Sequence, residues 1–128
     1  MSNNAVILYI DDNKENLDLV RRGLERRGFT CLIESNPFDG LILARDEQPD
    51  LVLLDIQMTR MSGFEVLEAL RSSFLDRKIP IIALTANTVN VTKKICIDAG
   101  FDDYLSKPVL RKELIMKIEQ HLGATTDS

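Results

Sequence analysis

Five side chains in this sequence are suited to chemistry as a set: Asp11, Asp12, Asp55, Thr85 and Lys107. Clustered carboxylates repel one another, so unless they share protons they call for a cation. With hard oxygen donors and no His or Cys nearby, that ion is Mg²⁺, with Mn²⁺ or Ca²⁺ able to substitute. Mg²⁺ typically binds one or two protein carboxylates, keeps waters, and takes its remaining ligands from phosphate oxygens. Lys107 is a mobile point charge suited to a phosphoryl oxygen, and Thr85 is a neutral donor to another. The set therefore suits phosphoryl handling with a carboxylate nucleophile. Taken one at a time, each piece has a plainer reading. Asp11 or Asp12 could cap a following helix, Thr85-Ala86-Asn87-Thr88 could be a turn, and Lys107-Pro108 an exposed loop dipeptide. The conjunction carries the inference.

The elements that must position these residues alternate along the chain. Ala5 to Ile10 is nearly all apolar, which suits a strand covered on both faces. Leu17, Val20 and Leu24 then form a helical stripe ended by Gly28. Phe29 to Ile33 reads as a second strand, Pro37 opens a second helix, and Asp50 to Asp55 holds a third strand. Ser62 and Glu65 fit a capping box ahead of Val66, Leu67 and Leu70. Ile79 to Leu84 is a fourth strand with its proline at the entry. Thr92 to Ala99 is a short helix stopped by Gly100. Asp103-Tyr104-Leu105 is a brief strand near an edge, and Leu114, Ile118 and Leu122 mark a last helix. This is a (βα)5 pattern: an α/β, doubly wound parallel sheet with helices on both faces.

In such a sheet ligands bind outside the carboxyl ends of the strands. Asp11 and Asp12 come directly after the first strand, Asp55 ends the third, Thr85 ends the fourth, and Lys107 lies just past the fifth. Asp55 is the best nucleophile candidate, because its strand is central, between the Asp11–Asp12 pair and Lys107. Asp55 is hard to read as a cap, since Ser62 serves the next helix better.

Composition narrows the alternatives. The chain has 128 residues with 16 Lys+Arg against 20 Asp+Glu, a net charge of −4. Residues 1–128 read as one domain, with a core over 5–122 and a polar tail over 123–128. An acidic chain without a basic run lacks the footprint of a nucleic-acid binder. No apolar stretch approaches the roughly 20 residues of a membrane span, and Met1-Ser2-Asn3-Asn4 does not read as a signal peptide. Cys31 and Cys96 read as buried reduced thiols, placing the protein in the cytoplasm. His121, the single histidine, is expected on a solvated helix face, and Glu34, Asp39, Asp46, Glu47 and Asp50 as solvated surface. One histidine without a Cys–His pairing leaves Ser-His-Asp and Cys-His hydrolase chemistry without its parts.

With these residues in place, the sequence resembles the receiver domains of two-component response regulators, over residues 5–122. The motif consists of Asp11-Asp12, Asp55, Thr85-Ala86 and Lys107-Pro108. The spacings of 43, 30 and 22 residues from Asp12 to Asp55, Thr85 and Lys107 are those of the family. The resemblance implies a flavodoxin-like fold with strand order 2-1-3-4-5. It implies that Asp55 accepts a phosphoryl group from a phosphohistidine on a sensor histidine kinase or histidine phosphotransfer protein. It further implies that Asp12, Asp55 and the backbone carbonyl of Gln57 ligate Mg²⁺, Asp11 acting mainly through water, while Thr85 and Lys107 hold phosphoryl oxygens. Tyr104 matches the family's switch aromatic, coupled to Thr85, and Gln57 and Asn87 match positions that modulate hydrolysis. The Lys107–Pro108 bond is expected to be cis, against about 5–6% of X–Pro bonds generally. One departure is Thr59, where the family usually has Pro; losing a fixed φ is expected to loosen the loop after the third strand.

The resulting expectation is a signalling domain, not an enzyme beyond its self-catalysed transfer and dephosphorylation. Its face of helix 4, strand 5 and helix 5 would change affinity for a downstream protein target. It would be a monomer or a weak phosphorylation-dependent dimer, touching neither nucleic acid nor membrane. The short tail favours a stand-alone receiver over one cut from a hybrid histidine kinase or larger regulator. A metal-dependent phosphatase with an Asp nucleophile is the enzymatic rival. Those enzymes typically have a second Asp two positions on, where this chain has Gln57. A pure interaction module is the other rival, and the intact acids argue against it.

Overall fold

Residues 4–123 are described by a computed structural model. Five strands, β1 (Val6–Ile10), β2 (Thr30–Glu34), β3 (Leu51–Asp55), β4 (Ile81–Thr85) and β5 (Asp103–Ser106), alternate with five helices. These are α1 (Lys14–Arg26), α2 (Pro37–Glu47), α3 (Gly63–Ala69), α4 (Lys93–Ala99) and α5 (Arg111–Leu122). All strand pairs are parallel, in the order β2-β1-β3-β4-β5. This is the flavodoxin-like (βα)5 architecture expected from the sequence.

Strand alternation sorts the apolar residues into two cores. Ile7, Tyr9, Leu51, Leu53, Ile82, Leu84 and Leu105 pack against Leu17 and Leu24 of α1 and Leu114, Ile115 and Ile118 of α5. Their sequence neighbours Leu8, Ile10, Val52, Leu54, Ile81 and Ala83 point the other way, onto α2, α3 and α4. Each fully buried Leu or Ile contributes about 1.5–3 kcal/mol of transfer free energy. The middle strands, covered on both sides, must therefore be apolar runs; β3 and β4 are buried at every position.

Polar residues set the helix entries. Asn13, Asn36 and Thr92 cap α1, α2 and α4 with their side chains. The Ser62–Glu65 capping box is formed at α3. Beyond Ala69 the chain widens into a π turn over Leu70–Phe74, closed by Leu75 N–H donating to Leu70 O at 3.1 Å.

Three surface expectations are corrected. His121 is not on a solvated face: its Nε2 lies 2.7 Å from Asp103 Oδ2, and Lys117 Nζ reaches the same carboxylate at 3.2 Å. Asp50 accepts the Val6 N–H at 2.7 Å and pairs with Arg77 at 2.9 Å, tying the start of β1 to the segment before β4. Glu34 accepts the Ser35 and Asn36 N–H groups, shaping the turn into α2. Cys31 and Cys96 are buried and unpaired, as expected, and burial pushes the Cys31 thiol up to about 12. Among the described residues no helix is long and apolar enough to cross a membrane.

Candidate functional site

Parallel pairing ends the strands on one side of the sheet, and the ladder carries the site residues with it. Asp11 N–H still donates to Glu34 O at 3.2 Å, one rung past β1. Asp55 is paired with Leu84, and Thr85 with Ser106, at the last positions of β3 and β4. Lys107, one residue past β5, donates its N–H to Thr85 O at 2.8 Å. The adjoining Lys107–Pro108 bond is cis.

Asp11, Asp12 and Asp55 come together so that one carboxylate oxygen from each lies within 4.8 Å of the others. Asp11 is fully buried and Asp55 2% exposed, whereas Asp12 is exposed. Asp11 Oδ2 accepts from the Tyr9 hydroxyl and from Lys107 Nζ at 2.8 Å, and its Oδ1 accepts the Asn13 N–H at 2.9 Å. Lys107 Nζ also lies 3.1 Å from Asp55 Oδ1. That buried oxygen has no well-aligned hydrogen bond among the described residues. Neither Asp11 nor Asp12 caps α1, since Asn13 does so.

Burial pushes the Asp55 carboxyl up to about 7, the negative charge of Asp11 adds to the rise, and Lys107 opposes it. Burial disfavours the Lys107 ammonium, but its hydrogen bond to Asp11 and the charges of Asp11 and Asp55 outweigh it and raise its pKa. Three acids face one ammonium. The donor set is all oxygen, carries excess negative charge and leaves one buried oxygen without a well-aligned hydrogen bond, which fits a hard divalent cation of the Mg²⁺ kind.

Across from Asp55, Thr85 is fully buried beneath the exposed side chain of Gln57. Gln57 Nε2 donates to Thr85 Oγ1 at 2.8 Å, and Gln57 Oε1 accepts from that hydroxyl at 3.0 Å and from Ala86 N–H at 3.2 Å. Asn87 donates its backbone N–H to Thr85 Oγ1, but its side chain accepts from Asn90 N–H within its own loop. Tyr104 stands away from the acids, its hydroxyl donating to Val91 O at 3.2 Å ahead of α4.

Three participants escape a reading of residue types alone. Tyr9 shares a strand face with Asp11, two residues away, and a hydroxyl inside an aliphatic strand was the available signal. Ala86 and Thr59 contribute backbone N–H groups, which no side-chain pattern reports. Thr59 also corrects an expectation. Its N–H donates to Asp12 Oδ2 at 3.1 Å, so the loop is tethered where proline, lacking the donor, could not tether it. α3 starts hard against this loop: a Cβ on Gly63 would lie 2.5 Å from Asp55 O.

Residues 7–119 match the response regulator receiver domain family, and the chain belongs to it. It is 34% identical over 117 residues to the polar-differentiation response regulator DivK of Brucella anthropi, covering 91% of this chain and 95% of that protein. Among solved structures it is similar to the receiver domain of the sensor histidine kinase PA1611 from Pseudomonas aeruginosa. The two are 28% identical with a TM-score of 0.85, covering 95% of this chain and all of that one. The PA1611 receiver holds a coordinated magnesium ion in its active-site cleft. A CheY-like response regulator receiver domain protein from Methanospirillum hungatei is 30% identical, with a TM-score of 0.83 and 94% coverage of each chain. Receiver domains are signalling domains rather than conventional enzymes.

Proposed function

We propose that this receiver, working as one domain, accepts a phosphoryl group on Asp55 from a phosphohistidine of a sensor kinase or phosphotransfer protein. The observation that carries this is the meeting of three carboxylates within 4.8 Å, with Lys107 reaching both Asp11 and Asp55. Asp11, Asp12, Asp55 and the backbone carbonyl of Gln57 would hold Mg²⁺. When bound, that ion supplies charge neutralisation for the phosphoryl oxygens. An Asp55 oxygen attacks phosphorus in line; the new P–O bond forms as the donor P–N bond breaks, leaving its electron pair on the imidazole. Lys107 meets the charge on one phosphoryl oxygen and Thr85 donates to another, so catalysis is positioning plus electrostatics. Attack by water later releases phosphate, at a rate that Gln57 and Asn87 would influence. Thr85 moving inward would draw Tyr104 from Val91 and shift the population of the α4–β5–α5 face toward one that binds a protein target.

The test is intact-mass measurement after incubation with acetyl phosphate and Mg²⁺. A single phosphoryl adduct is expected, abolished by Asp55→Asn and by chelation with EDTA. An undiminished adduct in the variant overturns the assignment of Asp55.

A further inference from the structure

We propose that the Gln57 side chain is a latch: it occupies Thr85 O–H, the donor that a phosphoryl oxygen on Asp55 would take, together with the adjoining Ala86 N–H, and must let go for phosphorylation to proceed. The inference rests on the phosphoacceptor reading of Asp55 and adds a residue that governs when the site can accept.

Thr85 Oγ1 has one proton to give and two lone pairs to fill. The proton goes to Gln57 Oε1 at 3.0 Å, and the lone pairs take Gln57 Nε2 at 2.8 Å and Asn87 N–H at 3.1 Å. The hydroxyl is saturated, and Gln57 supplies two of its three bonds. Ala86 N–H is engaged by the same Oε1 at 3.2 Å. That backbone donor also fixes which way the amide faces, since a flipped Gln57 would set NH₂ against N–H. The cover is external: Gln57 is exposed while Thr85 is fully buried, so the amide can swing into solvent without disturbing the core.

The competition has a definite winner in each state. Before transfer the neutral amide oxygen is the acceptor within reach. Afterwards a phosphoryl oxygen offers the Thr85 hydroxyl a charged acceptor, whose hydrogen bonds are roughly twice as strong. The latch thus holds Thr85 outside the phosphorylated arrangement and yields to it. Reach is part of the device: an Asn at position 57 would withdraw the amide by about one C–C bond, 1.5 Å, and lose all three contacts.

Gln57→Met keeps the length of the side chain without its donors and acceptor, and Gln57→Asn keeps the amide without its reach. With Mg²⁺, beryllofluoride serves as a non-transferring stand-in for the phosphoryl group, its binding followed by backbone NMR, and acetyl phosphate reports adduct formation by mass. Both variants are expected to bind beryllofluoride roughly ten-fold more tightly than wild type and to gain the adduct faster. In ligand-free protein the Ala86 amide should exchange faster in both variants, a readout that needs neither metal nor transfer. Wild-type adduct formation with beryllofluoride affinity unchanged across the three proteins overturns the latch and leaves the phosphoacceptor reading standing. No adduct in any of the three overturns both. An adduct in the variants alone supports the latch.

Discussion

The backbone N–H of Thr59 donates to the Asp12 carboxylate across 47 residues of chain, binding the loop after β3 to the loop after β1. Both partners are exposed, so the bond is worth the low end of the usual range, about 0.5–1 kcal/mol. Thr59→Pro is expected to lower stability by about that amount, partly offset by the stiffer unfolded chain. Thr59→Ala keeps the N–H and should stay within about 0.5 kcal/mol of wild type. Urea denaturation of the two variants side by side checks this; equal losses would show that the N–H is not what holds the loop.

Burial, seconded by Asp11 and opposed by Lys107, resists the charge of the Asp55 carboxyl and pushes it up to about 7. A carboxyl raised this way binds its proton more tightly folded than unfolded. Its contribution to stability is present below the unfolded value of about 4 and is lost as pH rises to about 7. Asp55→Asn carries no such penalty. In EDTA, its stability relative to wild type should rise between pH 4 and pH 8 by an amount on the order of a few kcal/mol. A difference that stays flat across that range would contradict the origin given for the shift.

Asp103 behaves in the opposite sense. Burial works against its carboxylate, but His121, the Tyr104 N–H and Lys117 overcome this and hold it below the usual range. Its stabilisation is therefore present above about pH 4 and lost as pH falls through the lower folded value. Asp103→Asn should cost about 1–3 kcal/mol at pH 7 and progressively less as pH falls below about 4, as a series of thermal melts over that range would reveal.

Gly63 and Gly40 make a matched pair. A Cβ at Gly40 meets the buried Ile10 side chain, Cδ1 at 2.7 Å and Cγ1 at 2.9 Å, which can shift only by repacking the side chains around it. At Gly63 it meets the backbone of Asp55 and Ile56 at 2.5 and 2.8 Å, which cannot. Gly63→Ala should cost more than Gly40→Ala, with the former at or above the roughly 1–3 kcal/mol typical of overpacking. Comparable melting temperatures for the two would refute the distinction.

Much of this arrangement was legible in the sequence for a definite reason. Strands such as Leu51–Leu54 and Ile81–Leu84 are covered on both faces and so read as unbroken apolar runs. In a parallel sheet the residue after each run must stand at the same end. Asp11, Asp12, Asp55, Thr85 and Lys107 could be grouped on that basis before any geometry was known. Partners drawn from far away in the chain were not legible. His121 meets Asp103 across 18 residues and from another element, so helical periodicity alone placed it in solvent. The N–H groups of Thr59 and Ala86 belong to the backbone, which every residue has, and only the fold selects which ones matter.

Lys107 and Asp11 join across 96 residues, from just past the first strand to just past the last. Contacts of such separation form late, because the closure entropy must be met before they contribute. A growing or partly folded chain would thus hold its acids without the lysine that partners them. Under the proposed function, competence to accept a phosphoryl group would be tied to completed folding, because an unfinished molecule would lack the lysine that the transfer calls on.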